Sequence, residues 1–95
     1  MDRHETKARM DGQVDEWKKN LETMSAKAGA ASGQARVDYR KNVEQLQKQF
    51  DELKVMAAHA WDVADDSWDS TRKDLELKWE DWEVRAKRAW RDLSE

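Results

Sequence analysis

The stretch YRKNVEQLQKQFDELKVMAAHAWDVADDSWDSTRKDLELKWEDWEVRAKRAWRDL, residues 39–93, decides how the rest of the chain is read. Placed on a wheel of about 100° per residue, it concentrates its apolar side chains on one side. Val43, Trp61 and Trp79 share one direction. Phe50, Trp68 and Trp90 fall about 20° from it. Tyr39, Leu75 and Leu93 lie about 40° away, and Leu46 and Trp82 about 60°. The same directions recur every 18 residues, which is five turns of an undistorted helix. This predicts one straight amphipathic helix over residues 34–93, roughly 80 Å or more long at about 1.5 Å per residue.

Local chemistry supports helix along the run. The chain has no proline, and no glycine follows Gly33, so nothing obvious interrupts the hydrogen-bond ladder. Acid-before-base pairs four apart recur: Glu44 with Lys48, Asp69 with Lys73, Asp74 with Lys78, Asp81 with Arg85, and Glu83 with Lys87. Each contributes only about 0.2–0.5 kcal/mol, but all act in the same direction. Lys87, Arg88 and Arg91 suit a helix C-terminus.

Working towards the N-terminus, residues 29–33 hold two glycines, two alanines and a serine. If the glycines end a first helix and Ser32 caps a second, the chain is a helical hairpin. If the helix runs through, Ser25, Gly29 and Gly33 form a small-residue ridge that a neighbouring helix can approach closely. Both readings stay open. Before that segment, Val14, Trp17, Leu21 and Met24 carry the apolar stripe of a first helix over residues 4–28. Asp2 and Glu5 have the spacing of a capping box at its start.

With 95 residues the chain is one domain. Charged residues make up 41% and apolar ones 38%, too polar for an ordinary globular core and too regular for disorder. The fold class expected is all-α, coiled-coil-like. Net charge is −3, which gives no pull towards nucleic acid. No cysteine is present, so no disulfide framework or thiolate zinc site is expected. The first twelve residues lack the apolar stretch of a signal peptide. A cytoplasmic location follows as the expectation.

Little in the sequence points to a reaction. Asp62, Asp65, Asp66 and Asp69 form an acidic ridge beside the tryptophan stripe. Magnesium chemistry there would need a walled cavity, and a solvated flank is the plainer reading. The ridge could also face Lys87, Arg88 and Arg91 of an antiparallel copy. His4 and His59 stand apart from any second ligand, so no metal, cofactor or catalytic residue is expected.

The tryptophans are more informative. Five of the six lie between positions 61 and 90, and burying them is worth on the order of 20–25 kcal/mol gross. A 25-residue first helix reaches only to about residue 58 of the second. The half beyond Trp61 then has no intrachain cover, so a partner is expected: a homo-oligomer or another helical protein. The expected interface comprises Tyr39, Val43, Leu46, Phe50, Trp61 and Trp68, continuing through Leu75, Trp79, Trp82, Trp90 and Leu93. The first helix would use Val14, Trp17, Leu21 and Met24. Adsorption to a membrane surface is the alternative, though residues 61–84 carry nine acids and three bases, which anionic lipids repel.

Asp15-Glu16-Trp17, Ala26-Lys27-Ala28, Tyr39 with its stripe, Ala60-Trp61-Asp62 and Ala89-Trp90-Arg91-Asp92-Leu93 together give an order of landmarks. It resembles a family of small bacterial coiled-coil proteins associated with stress responses in cyanobacteria and proteobacteria. The resemblance implies a role in stress tolerance and no catalytic residues. Residues 29–33 depart from the charged, helical segment usual there, and Trp68, Trp79 and Trp82 are additional. The function expected is therefore that of a non-enzymatic scaffold.

Overall fold

A computed structural model describes residues 3–94 as three helices: α1 Arg3–Ala30, α2 Gly33–Ala60 and α3 Asp65–Ser94. The molecule measures 52 × 18 × 17 Å. The all-α expectation holds, and the chain does turn back after the first helix. The single long helix over residues 34–93 is corrected: residues 61–64 form a turn, and α3 folds back along α2.

Each helix has its own seam, and each seam repeats every seven residues. In α1, Met10, Trp17 and Met24 alternate with Val14, Leu21 and Ala28. In α2, Tyr39, Leu46, Leu53 and Ala60 alternate with Val43, Phe50 and Ala57. In α3, Trp68, Leu75, Trp82 and Ala89 alternate with Trp79, Ala86 and Leu93. This 3–4 spacing is the coiled-coil pattern, and it drifts by about 20° per heptad on a straight helix.

That drift explains why the single wheel misled. From Ala60 to Trp68 the seam advances eight residues instead of seven. The one extra residue rotates the stripe by about 100°, roughly cancelling four heptads of drift. Two heptad seams separated by a one-residue shift therefore imitate one straight stripe with an 18-residue recurrence. From Met24 and Ala28 to Tyr39 and Val43 the seam is again one residue out of heptad register.

The boundaries have separate causes. Gly29 lies inside α1, and only Ala31 and Ser32 lie outside helix at the first turn. Gly33 opens α2 at φ +65°, a conformation that costs a non-glycine residue about 1–2 kcal/mol. Ser32 occupies the N-cap position with extended backbone (φ −122°, ψ 159°), but its side chain makes no capping bond. Asp2 of the expected capping box lies outside the described residues; Glu5 does fall in the first turn of α1. The second turn contains neither glycine nor proline. It closes through Trp61 N–H to Ala57 O at 3.2 Å and Asp62 N–H to His59 O at 3.1 Å. Asp65 and Asp66 then supply negative charge to the first turn of α3, where the helix dipole favours it.

α1 and α3 run parallel to each other and antiparallel to α2. Arg3 reaches the α2–α3 turn, donating to Trp61 O at 3.3 Å and to Asp65 Oδ1 at 3.1 Å. Lys27 sits over the Trp90 ring at 5.1 Å at the opposite end. No helix among the described residues is long and apolar enough to cross a membrane.

Candidate functional site

The tryptophans meet in the middle of the bundle. Trp82 is 1% exposed. Its ring stands edge-on to Trp17 at 5.2 Å and lies 5.1 Å from Phe50 and 5.3 Å from Trp79. Its indole N–H donates to Leu46 O at 3.0 Å. The Trp17 indole donates to Glu83 Oε2 at 3.0 Å. All three helices thus contribute to one aromatic layer, where ring geometry adds to the area buried. Nearer the α2–α3 turn, the Trp61 and Trp68 rings lie 5.6 Å apart at a tilt of 46°, and the Arg3 guanidinium lies 4.8 Å from the Trp68 ring centre.

The expectation that the tryptophan-rich half has no intrachain cover is therefore corrected. Of the eleven residues expected at a partner interface, Val43, Leu46, Phe50, Trp68, Leu75, Trp79 and Trp82 are buried within one chain. Tyr39, Trp61, Trp90 and Leu93 are half-buried against the same core. Trp17, Leu21 and Met24 are buried in α1, with Val14 packed beside them. Residues 61–64 provide the missing cover. By reversing the chain they lay α3 along α2 and α1, so the stripe closes on itself.

The joint between α1 and α3 is more polar than the others. Besides Arg3, it holds Arg9 donating to Glu76 Oε1 at 3.0 Å and the Trp17–Glu83 bond. Three buried nitrogens on α3 have no hydrogen-bond partner: Trp68 Nε1, Trp79 Nε1 and Arg72 Nε. An unsatisfied buried donor costs about 1–3 kcal/mol. Grooves open to solvent run along this joint, one bordered by Arg9, Arg72, Glu76 and Trp79, the next by Trp17, Glu83 and Trp90.

The acidic ridge divides at the turn. Asp62 sits in the turn itself, Asp65 pairs with Arg3 at 3.1 Å, and Asp69 approaches Arg72 at 3.9 Å. Among the described residues, no three of His, Cys, Asp or Glu gather as a metal cage. His4 and His59 are both exposed. Of the five acid–base pairs four apart, Asp74–Lys78, Asp81–Arg85 and Glu83–Lys87 form at 3.4, 3.0 and 3.5 Å. Glu44 and Lys48 do not meet, and Asp69 turns to Arg72 instead of Lys73.

Outside the core lies a charged surface on which, among the described residues, four large apolar side chains are exposed: Val37 (49% exposed), Val55 (71%), Leu77 (66%) and Val84 (62%). Wheel positions opposite the seam carried this signal. No known protein family matches this chain, and neither does any curated protein or solved structure.

Proposed function

We propose that the chain is a non-enzymatic helical scaffold of the cytoplasm that acts by binding another helical protein, a second copy of itself included. The tryptophan seam builds the rod, and the outer faces of the helices do the binding. The observation that carries this reading is the placement of Val37, Val55, Leu77 and Val84. All four point away from the core of an otherwise charged bundle. Singly such residues are ordinary. Here they occur as one pair on each of two helices. Sedimentation equilibrium on the purified chain is the test. A mass that rises reversibly with concentration is the expected result. A single-chain mass across the whole range, from micromolar to millimolar, sinks the self-association reading.

A second reading is reversible adsorption to membrane surfaces, with α1 swinging off α3. It is supported by the polar α1–α3 joint and by the three unpartnered nitrogens on α3, which would gain water or headgroup oxygens on opening. Zwitterionic vesicles that shift tryptophan emission and co-sediment with the protein would favour it. A stress-associated role rests on the order of sequence landmarks from Asp15-Glu16-Trp17 to Ala89-Trp90-Arg91-Asp92-Leu93 alone. A deletion strain that tolerates heat, osmotic and oxidative stress like its parent would remove it.

A further inference from the structure

The outer face of α2 reads the same outward from Leu46 in both directions, with every charge inverted. Two residues from Leu46 stand Glu44 and Lys48. At five stand Lys41 and Asp51, and at six Arg40 and Glu52. At eight stand Asp38 and Lys54, and at nine Val37 and Val55. All eight charged residues between the two valines obey the rule. On the α2 wheel, Val37 and Val55 lie about 180° from Leu46, and the first three charged pairs lie within about 60° of that line. Asp38 and Lys54 lie about 100° from it, on the flanks of the helix.

The helix dipole accounts for only half of this order: Asp38 with Lys54 and Glu44 with Lys48 follow it, whereas Arg40, Lys41, Asp51 and Glu52 run against it. A helix dipole favours acids at the N-terminus and bases at the C-terminus. α2 has no acid in its first turn and carries Arg36, Arg40 and Lys41 in its N-terminal half. Nor do the other helices use these charges. Among the described residues, α2 takes part in one salt bridge, Lys54 to Asp51 at 3.2 Å, whereas α1 and α3 hold all the others. Arg40, Lys41, Glu44, Lys48 and Glu52 are exposed and have no ion-pair partner among the described residues.

We infer that two copies pair through α2, antiparallel, about a two-fold axis at the level of Leu46. In that arrangement Arg40 and Lys41 of each copy stand level with Glu52 and Asp51 of the other. Glu44 stands level with Lys48, and Val37 with Val55. A two-fold interface must be self-complementary, and a sign-inverting sequence supplies that. A parallel pair would set each charge against its own kind. The matched stretch spans about 27 Å, and low salt, which lengthens the Debye screening distance, strengthens its charge pairing.

This inference rests on the self-association proposed above and specifies its face and direction. The test uses the full chain in sedimentation equilibrium at low salt, with circular dichroism to verify folding. One variant carries Arg40→Glu with Lys41→Glu, another Asp51→Lys with Glu52→Lys. Each alone should associate at least tenfold more weakly than the parent. An equimolar mixture should recover association, as should one chain carrying all four changes. The chain has no cysteine, so Val37→Cys and Val55→Cys report direction. Mixed, they should form a 37–55 disulfide dimer, and neither alone should cross-link. A parent that associates while both charge variants associate equally well overturns this face and leaves self-association standing. A parent that stays monomeric removes both. Mixing that fails to restore association overturns the antiparallel pairing.

Discussion

Trp79 and Trp82 sit one turn apart on α3, share Phe50 as a neighbour, and are both buried. Their indole nitrogens differ. That of Trp82 donates to Leu46 O at 3.0 Å, and that of Trp79 has no partner. Changing Trp82 to Phe removes a buried hydrogen bond and the edge contact with Trp17. The expected cost is about 2–3 kcal/mol, combining a lost bond with incomplete filling of the site. Changing Trp79 to Phe loses similar volume but also removes an unsatisfied donor, so it should cost at least about 1 kcal/mol less. Urea midpoints of the two variants at equal m-value settle the comparison. Equal losses would mean that the Trp79 nitrogen is satisfied by water in solution.

The helix boundaries show how much of the fold the sequence discloses and where it stops. The first turn was legible only as one of two readings, because the glycine-containing segment changes composition but fits either a break or a small-residue ridge; Gly33 at φ +65° is what decides it. Which of its glycines mattered was not legible. Gly29 is ordinary helix, where a Cβ would meet only the Arg40 guanidinium at 3.7 Å. Gly29→Ala should therefore stabilise by about 0.5–1 kcal/mol, and Gly33→Ala should destabilise by about 1–2 kcal/mol. Thermal melts of the two variants should move in opposite directions. The second turn left no such mark. Its best sequence signal is the pair Asp65-Asp66, which suits a helix start but equally suits an acidic flank. Ala64, immediately before α3, has no side-chain acceptor for the free N–H groups behind it. Ala64→Asp should raise stability by about 0.5–1 kcal/mol. A loss on that change would mean that Ala64 is not the residue where α3 begins.

For the molecule as a whole, the seam residues were legible and their destination was not. Periodicity picks out which side chains are buried, because burial on a helix follows its repeat. It cannot say whether the covering surface belongs to the same chain. That depends on the reversal at residues 61–64, where one extra residue hides two heptad seams inside one straight stripe. The two destinations differ in a measurable way. A rod with helix over residues 34–93 would be some 80 Å or more long and would shield its tryptophans only on association. The folded chain is 52 Å long with a Cα radius of gyration of 15.3 Å, and it buries Trp17, Trp68, Trp79 and Trp82 alone. Tryptophan emission should therefore be blue-shifted at the lowest concentration that can be measured and should stay constant as concentration rises, even where sedimentation reports pairing. Pairing through α2 leaves the indoles where they are, since none lies on its outer face. Small-angle scattering extrapolated to zero concentration should likewise give a radius near the single-chain value. Emission that begins red-shifted and moves to the blue together with mass would show that the seam is completed between chains, and that α3 crosses from one copy to the next.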